Sequence, residues 1–91
     1  MRYNRKRHKT LEILAPKFIQ TRTGRELGGD FHIGTDFSVL REKLKCSQEE
    51  CEIIFASLFT NEEVQFTDYK VDGLALTKIG FSAFSDFKYI K

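Results

Sequence analysis

The strongest helical pattern in the chain lies between residues 47 and 60. Its apolar residues recur three and four positions apart, the spacing that gathers side chains on one face of an α-helix. These residues are Cys51, Ile54, Phe55 and Leu58. Ser47 and Glu50 have the spacing of a capping box, in which each side chain accepts a hydrogen bond from the backbone N–H of the other residue. The pattern predicts a helix from Ser47 to Thr60.

A shorter helix is predicted immediately upstream, over about residues 36–45. Its apolar stripe consists of Phe37, Leu40 and Leu44. Thr35 and Asp36 are candidates for the N-cap. Because only Cys46 and the capping Ser47 separate the two helices, they form a predicted helix-turn-helix unit.

Downstream of residue 62 the hydrophobic period changes from helical to alternating. Val64 and Phe66 alternate with polar residues, and Asp72 followed by Gly73 is a turn signal. The pattern predicts a β-hairpin with strands near 63–68 and 73–76 and a tip at 69–72.

The first third of the chain has a thinner pattern. Pro16 would disturb a helix interior at a cost of about 3 kcal/mol, but it suits the first residue of a helix. We therefore predict an extended segment, followed by a first helix from Pro16 to Arg25. Phe31 and Ile33 alternate with a histidine between glycines, which predicts a very short strand.

A last helix is predicted over residues 77–90, with Thr77 as its cap. Gly80 falls in the centre of its apolar face, although glycine costs about 1 kcal/mol relative to alanine in a helix. The missing side chain would let the helix lie directly against a neighbouring backbone. The other predicted members of this face are Leu76, Ile79, Ala83, Phe84, Phe87 and Ile90.

Composition indicates one small globular domain, with 91 residues that are 41% hydrophobic and include nine phenylalanines. No stretch has the roughly 18–20 apolar residues of a membrane span, and no signal peptide is evident, so a cytoplasmic protein is expected. Cys46 and Cys51 lack the close pairing of zinc ligands, and we expect reduced thiols and no metal.

The net charge of +2 conceals an asymmetry. Residues 1–9 contain five basic residues and no acid, which leaves ten basic residues against thirteen acids in residues 10–91, a net charge of −3. Residues 46–69 contain six acids and no Lys or Arg. The sequence thus predicts a flexible basic arm, residues 1–9, on a single acidic domain, residues 10–91.

The predicted order of helix, strand, helix, tight turn, helix and hairpin resembles the winged helix-turn-helix superfamily. It is similar to the branch with a helix after the wing, whose second wing strand ends in an L-T-x-x-G-x-x-A pattern. Leu76, Thr77, Gly80 and Ala83 match that pattern. The resemblance implies an α+β fold with a three-helix core, a small β-hairpin wing and an added C-terminal helix.

The resemblance also implies DNA binding, with the third helix in the major groove and the wing on the backbone. The sequence departs from this pattern, because the outward face of the third helix consists of Glu49, Glu52, Ile53 and Ala56. Glutamates repel the phosphates that Lys and Arg would neutralise. We therefore expect this helix to stay out of the groove.

The leading hypothesis is a non-enzymatic domain that associates with DNA, in transcription regulation, through weak, salt-sensitive contacts of the arm and the second helix. The candidate residues are Arg2, Arg5, Lys6, Arg7, Lys9, Arg41, Lys43 and Lys45. The alternative is a module for protein interaction or homodimerisation that uses the Glu49, Glu52, Ile53 and Ala56 face. The sequence shows neither a phosphate-binding loop nor a catalytic-triad spacing, and we predict no enzyme, cofactor or small-molecule substrate.

Overall fold

The computed structural model describes residues 3–26, 34–67 and 73–90, and the side chains of all of these except residues 20–26. The described residues form a mixed α+β domain with four helices and one three-stranded antiparallel sheet. In chain order the elements are α1 (Asn4–Glu26), β1 (Thr35–Asp36), α2 (Phe37–Leu44), α3 (Gln48–Thr60), β2 (Val64–Phe66), β3 (Gly73–Leu76) and α4 (Lys78–Ser85).

The sheet has the order β1-β3-β2, so the last strand lies in the middle. Val64 pairs with Leu76 in the hairpin, and Thr35 pairs with Leu74 on the other edge. All four residues of β3 are buried, as expected for a central strand that is covered by helices. The predicted hairpin strands are confirmed. Its tip at 69–72 and the predicted strand around Phe31 and Ile33 lie outside the described residues.

The predicted pair of helices, α2 and α3, is confirmed. Ser47 is the N-cap of α3, and its side chain and that of Glu50 form the capping box. Asp36 takes the N-cap position of α2 without a side-chain hydrogen bond. Cys46 and Cys51 stand at the two positions of a hydrophobic staple, the residue before the cap and the fourth helical residue, where a contact fixes how the chain enters the helix.

The prediction of an extended segment followed by a helix from Pro16 is wrong. Helix α1 begins at Asn4 and contains Pro16 in its interior, on the exposed side. Leu11 and Leu14 are fully buried in the core. Burying each leucine contributes about 1.5–3 kcal/mol, so together they contribute about 3–6 kcal/mol, which matches or exceeds a proline cost of about 3 kcal/mol.

The first residues of the chain also differ from the predicted flexible arm. Residues 4–9 are the first turns of α1, and Arg7 and His8 are only 5% and 6% exposed. The ring of His8 stacks on Phe84 and Phe87, with centroid distances of 5.3 and 5.4 Å. The start of α1 is thus packed against α4 and the turn that follows it.

Gly80 lies against a neighbouring backbone segment, at Glu63, as the sequence predicts. It is buried, and a β-carbon at this position would overlap the carbonyl oxygen of Glu63. The hydroxyl of Thr77 accepts a hydrogen bond from the Gly80 N–H at 3.0 Å and donates one to the Glu62 carbonyl at 2.6 Å. The start of α4 is therefore fixed to the loop between α3 and β2.

The end of the last helix is not where the sequence places it. Helix α4 stops at Ser85, because Phe87 adopts a left-handed backbone conformation with φ of 51°. The N–H of Lys88 then bonds the carbonyl of Ala83 at 3.0 Å, which closes the helix end. Ile79, Phe87 and Ile90 are exposed, so their predicted place on the buried face is wrong.

Candidate functional site

Helix α1 has a basic side and a buried side. At 3.6 residues per turn, Arg5, Lys6 and Lys9 fall within a sector of about 100°. Arg5 and Lys9 are exposed and Lys6 is half-buried, and Lys9 Nζ forms an exposed ion pair with Glu12 Oε1 at 3.2 Å. The opposite side of the helix carries the buried residues Arg7, His8, Leu11, Leu14 and Ala15. Arg2 lies outside the described residues.

Lys6 joins this basic side to the end of α2. Its Nζ donates a hydrogen bond to the backbone carbonyl of Leu44 at 2.5 Å. A cation at this position satisfies a carbonyl that has no partner within the helix and complements the negative end of the helix dipole. Lys43 and Lys45, on either side of Leu44, are exposed. We call Arg5, Lys6, Lys9, Lys43 and Lys45 the basic surface.

Two predicted nucleic-acid contacts do not belong to this surface. Arg7 is buried and donates from Nε to Ser57 Oγ at 2.9 Å and from Nη1 to Asn4 Oδ1 at 3.1 Å. Its guanidinium also lies 5.9 Å from the centre of the Tyr89 ring. Arg41 is exposed, but its Nη1 lies 3.5 Å from Gln48 Oε1, which places it at the mouth of the groove between α2 and α3.

The acidic and apolar face predicted on α3 is exposed. Glu49, Glu52 and Ala56 face solvent, and the Ile53 side chain is 46% exposed. This face has no described contact with the basic surface. Apart from Arg2, Arg7 and Arg41, the predicted residues therefore fall into two separate groups, one cationic at the junction of α1 and α2 and one acidic on α3.

A groove of about 530 Å³ runs between α2 and α3, beside that acidic face. Its floor is apolar and is formed by Phe37, Cys51, Phe55 and Phe59. Arg41 lines the α2 side, and Glu52 lines the α3 side. The sequence does not predict this groove, because its four floor residues all have the spacing of core residues. Nothing in the pattern shows that α2 and α3 leave these residues partly uncovered.

A buried carboxylate near the end of the chain was also missed. Glu63 is 0% exposed, and its Oε2 accepts a hydrogen bond from Lys88 Nζ at 3.1 Å, while its Oε1 accepts one from the Tyr89 hydroxyl. The Tyr89 oxygen accepts a further bond from Asn61 Nδ2 at 3.1 Å. These contacts fix the turn after α4 to the loop before β2, so we assign them a structural role. The sequence contains no signal that would pair residues 25 positions apart.

The two cysteines are free thiols. Burial, together with the neighbouring Cys46 thiol, raises the pKa of the Cys51 thiol, which disfavours the reactive thiolate. Among the described residues, no group of three or more His, Cys, Asp or Glu side chains is placed to hold a metal ion. No helix in that same part of the chain is long and apolar enough to cross a membrane.

Comparison with protein families, with curated proteins and with solved structures finds no match for this chain. A functional assignment therefore depends on the two surfaces themselves. The basic surface offers cations at a helix junction, and the groove offers an apolar floor with charged walls.

Proposed function

We propose that this chain is a non-enzymatic winged-helix-type domain that associates with DNA through phosphate contacts of the basic surface. The winged-helix assignment is supported by the order of the elements and by a sheet in which the strand before α2 pairs with the second hairpin strand. It is further supported by Gly80, whose position in the L-T-x-x-G-x-x-A pattern coincides with a backbone contact that excludes a side chain.

The observation that carries the DNA proposal is the hydrogen bond from Lys6 to the Leu44 carbonyl. It brings the basic side of α1 next to the lysines that flank the end of α2, so cations from two distant parts of the sequence share one region. Lys and Arg that neutralise phosphates supply most of the affinity of non-specific DNA binding, because counterions are released from the duplex.

The acidic face of α3 supports binding to the DNA backbone over reading of bases. Glu49 and Glu52 on that face would meet phosphate on both sides of a major groove, and the stretch from residue 46 to 69 has no Lys or Arg to offset them. Phosphate contacts set the position of a protein on DNA but carry no sequence information. The proposed binding is therefore weak, sensitive to salt and poorly specific.

Fluorescence anisotropy with a labelled duplex of arbitrary sequence tests the proposal across a series of salt concentrations. About four neutralised phosphates give a slope of about −3.6 for log K against log salt concentration. The double substitution Lys43→Ala/Lys45→Ala should reduce the size of this slope by about 1.8. Lys78→Ala, an exposed lysine on α4, is the matched control and should leave the slope unchanged.

Absence of binding at low salt would contradict the proposal. A loss of about 0.9 in the slope of the Lys78 control, the same loss per lysine as in the double variant, would also contradict it, because the affinity would then depend on overall charge and not on this surface.

A further inference from the structure

A connected set of aromatic rings extends from the groove between α2 and α3 to strand β2 beside it. Phe37 lies 5.8 Å from Phe55 and 6.4 Å from Phe66 between ring centroids, and Phe59 lies 4.7 Å from Phe66. Phe66, on β2, is 45% exposed, while Phe37 and Phe59 are half-buried. Phe55 is buried, so the exposed part of this set consists of Phe37 and Phe59 in the groove and Phe66 beside it. Connected apolar surface with a polar rim is typical of a binding site.

The shape of the groove suits an elongated partner. Its walls are two helices whose backbone groups are engaged in their own hydrogen bonds, so neither wall offers a strand edge to which an extended peptide could add. Helix α3 has 13 residues and is about 20 Å long, enough to lie beside three or four turns of another helix. A helix would place apolar side chains at positions i, i+4 and i+7 onto the phenylalanine floor.

The charge of the α3 wall decides which helix fits. Glu52 lines the groove, and Glu49 and the apolar Ile53 lie beside it on the exposed face. A second copy of this chain that bound across a two-fold axis along α3 would bring these glutamates against their own equivalents, and like charges repel. A basic helix would instead place Lys or Arg opposite them.

Arg41 marks the other wall. Its contact with Gln48 at 3.5 Å joins α2 to α3 at the mouth of the groove, and Gln48 Nε2 donates in turn to Glu52 Oε1 at 3.3 Å along α3, all on exposed side chains. Exposed hydrogen bonds of this length contribute little to stability and are readily exchanged for contacts with a partner.

We propose that the groove binds an amphipathic basic helix of another protein, with aromatic or leucine anchors on the phenylalanine floor and lysines or arginines against Glu49 and Glu52. This interaction goes beyond DNA association and is independent of it, because the groove and the basic surface share no residue.

The probe is a fluorescein-labelled synthetic helical peptide of about 14 residues, the length of α3, with Leu or Phe at i, i+4, i+7 and i+11 and Lys elsewhere. A second peptide carries Glu in place of every Lys. Anisotropy titrations should show saturable binding of the lysine peptide and at least about tenfold weaker binding of the glutamate peptide. Equal binding of the two peptides, or no binding of either, would overturn the proposal.

Variants of this chain locate the site. Ala56→Arg places a long side chain across the groove and should weaken the affinity for the lysine peptide at least about tenfold. Ser82→Arg, a substitution at an exposed position on α4, should change that affinity by no more than about twofold. Glu52→Lys should reverse the preference between the two peptides and is a second variant in case Ala56→Arg disturbs folding. Peptide binding that survives both groove variants would overturn the proposal. Sedimentation showing a homodimer that Ala56→Arg dissociates would also overturn it, because the occupant would then be a second copy.

Discussion

Gly80 lies against the carbonyl oxygen of Glu63, so closely that a β-carbon on position 80 would overlap that oxygen. The same carbonyl accepts a hydrogen bond from the Thr77 N–H at 3.1 Å. The cost of a glycine in the first turn of α4 is therefore offset by a contact that no other residue allows. This contact positions α4 on the hairpin. Because α1 packs against α4, it also determines where α1 lies.

Gly80→Ala should destabilise the fold although alanine is the better helix former. The gain of about 1 kcal/mol in helix propensity is smaller than the cost of overpacking, so we expect a net loss of about 2 kcal/mol in the free energy of unfolding. Urea denaturation followed by circular dichroism measures this loss. Ser82→Ala, two residues later on the exposed side, is the control and should be neutral or slightly stabilising. A Gly80→Ala protein as stable as the wild type would show that the contact does not exist.

Pro16→Ala tests whether α1 is one continuous helix. If residues 4–26 are helical, the proline removes a backbone hydrogen bond from the middle of the helix, and its replacement should stabilise the protein by about 1–3 kcal/mol. Pro16→Gly should gain about 1 kcal/mol less. A helix that started at Pro16 would lose its favourable first residue instead, and both substitutions would then be neutral or destabilising in the same denaturation experiment.

Arg7→Ala tests whether Arg7 stabilises the fold or contacts DNA. Its loss leaves the Ser57 hydroxyl and the neighbouring polar groups without a partner, so the free energy of unfolding should fall by about 1–3 kcal/mol. Because Arg7 is buried, the salt slope of DNA binding should not change at a temperature where the variant is folded. Lys43→Ala/Lys45→Ala should show the reverse, with stability retained and slope reduced. A reduced slope in Arg7→Ala would show that this residue also contacts DNA and belongs to the basic surface.

The contacts of Glu63 predict how stability depends on pH. The hydrogen bond to Glu63 raises the pKa of Lys88 from its ordinary value of 10.5, and burial followed by the bond to Glu63 raises that of Tyr89 from 10.0. Both groups hold their protons more tightly in the folded chain than in the unfolded chain. This stabilisation is complete below about pH 10 and is lost as the pH rises through the folded pKa values.

Urea denaturation at several pH values between about 8 and 12 measures this effect. The free energy of unfolding of the wild type should fall steadily above about pH 10. Glu63→Gln should lower it by about 1–3 kcal/mol at neutral pH, because Lys88 and Tyr89 lose a charged acceptor, and should flatten the alkaline fall. An alkaline fall of the same steepness in Glu63→Gln would refute the assignment.

The sequence predicts those parts of the fold that depend on local chemistry. The capping box at Ser47, the change of period at Val64 and the cap at Thr77 each use residues within a few positions of one another, and all three are found. The start of α1 was missed, since a local rule about Pro16 opposed a tertiary effect, the burial of Leu11 and Leu14. Tertiary packing is the stronger term, and only the assembled core shows it.

The candidate surfaces divide in the same way. The order of charged residues along the chain identifies the acidic face of α3 and the lysines at the end of α2. The exposure of these side chains follows from the helical pattern alone and depends on no distant contact. The order of charged residues does not show that Arg7 turns inward to Ser57, or that Lys6 reaches Leu44, since each contact joins residues more than 35 positions apart. The groove cannot be predicted from the sequence for the same reason, because it forms only when α2 and α3 pack against each other.

The most direct test of the central claim is a titration of the isotope-labelled protein with a short DNA duplex, followed by NMR of the backbone amides at low salt. The largest shifts should occur at residues 5–9 and 43–45 and should disappear as salt is raised, while residues 49–56 of α3 should shift little. Shifts concentrated on Glu49, Glu52, Ile53 and Ala56, with the two lysine-containing segments unchanged, would contradict the claim.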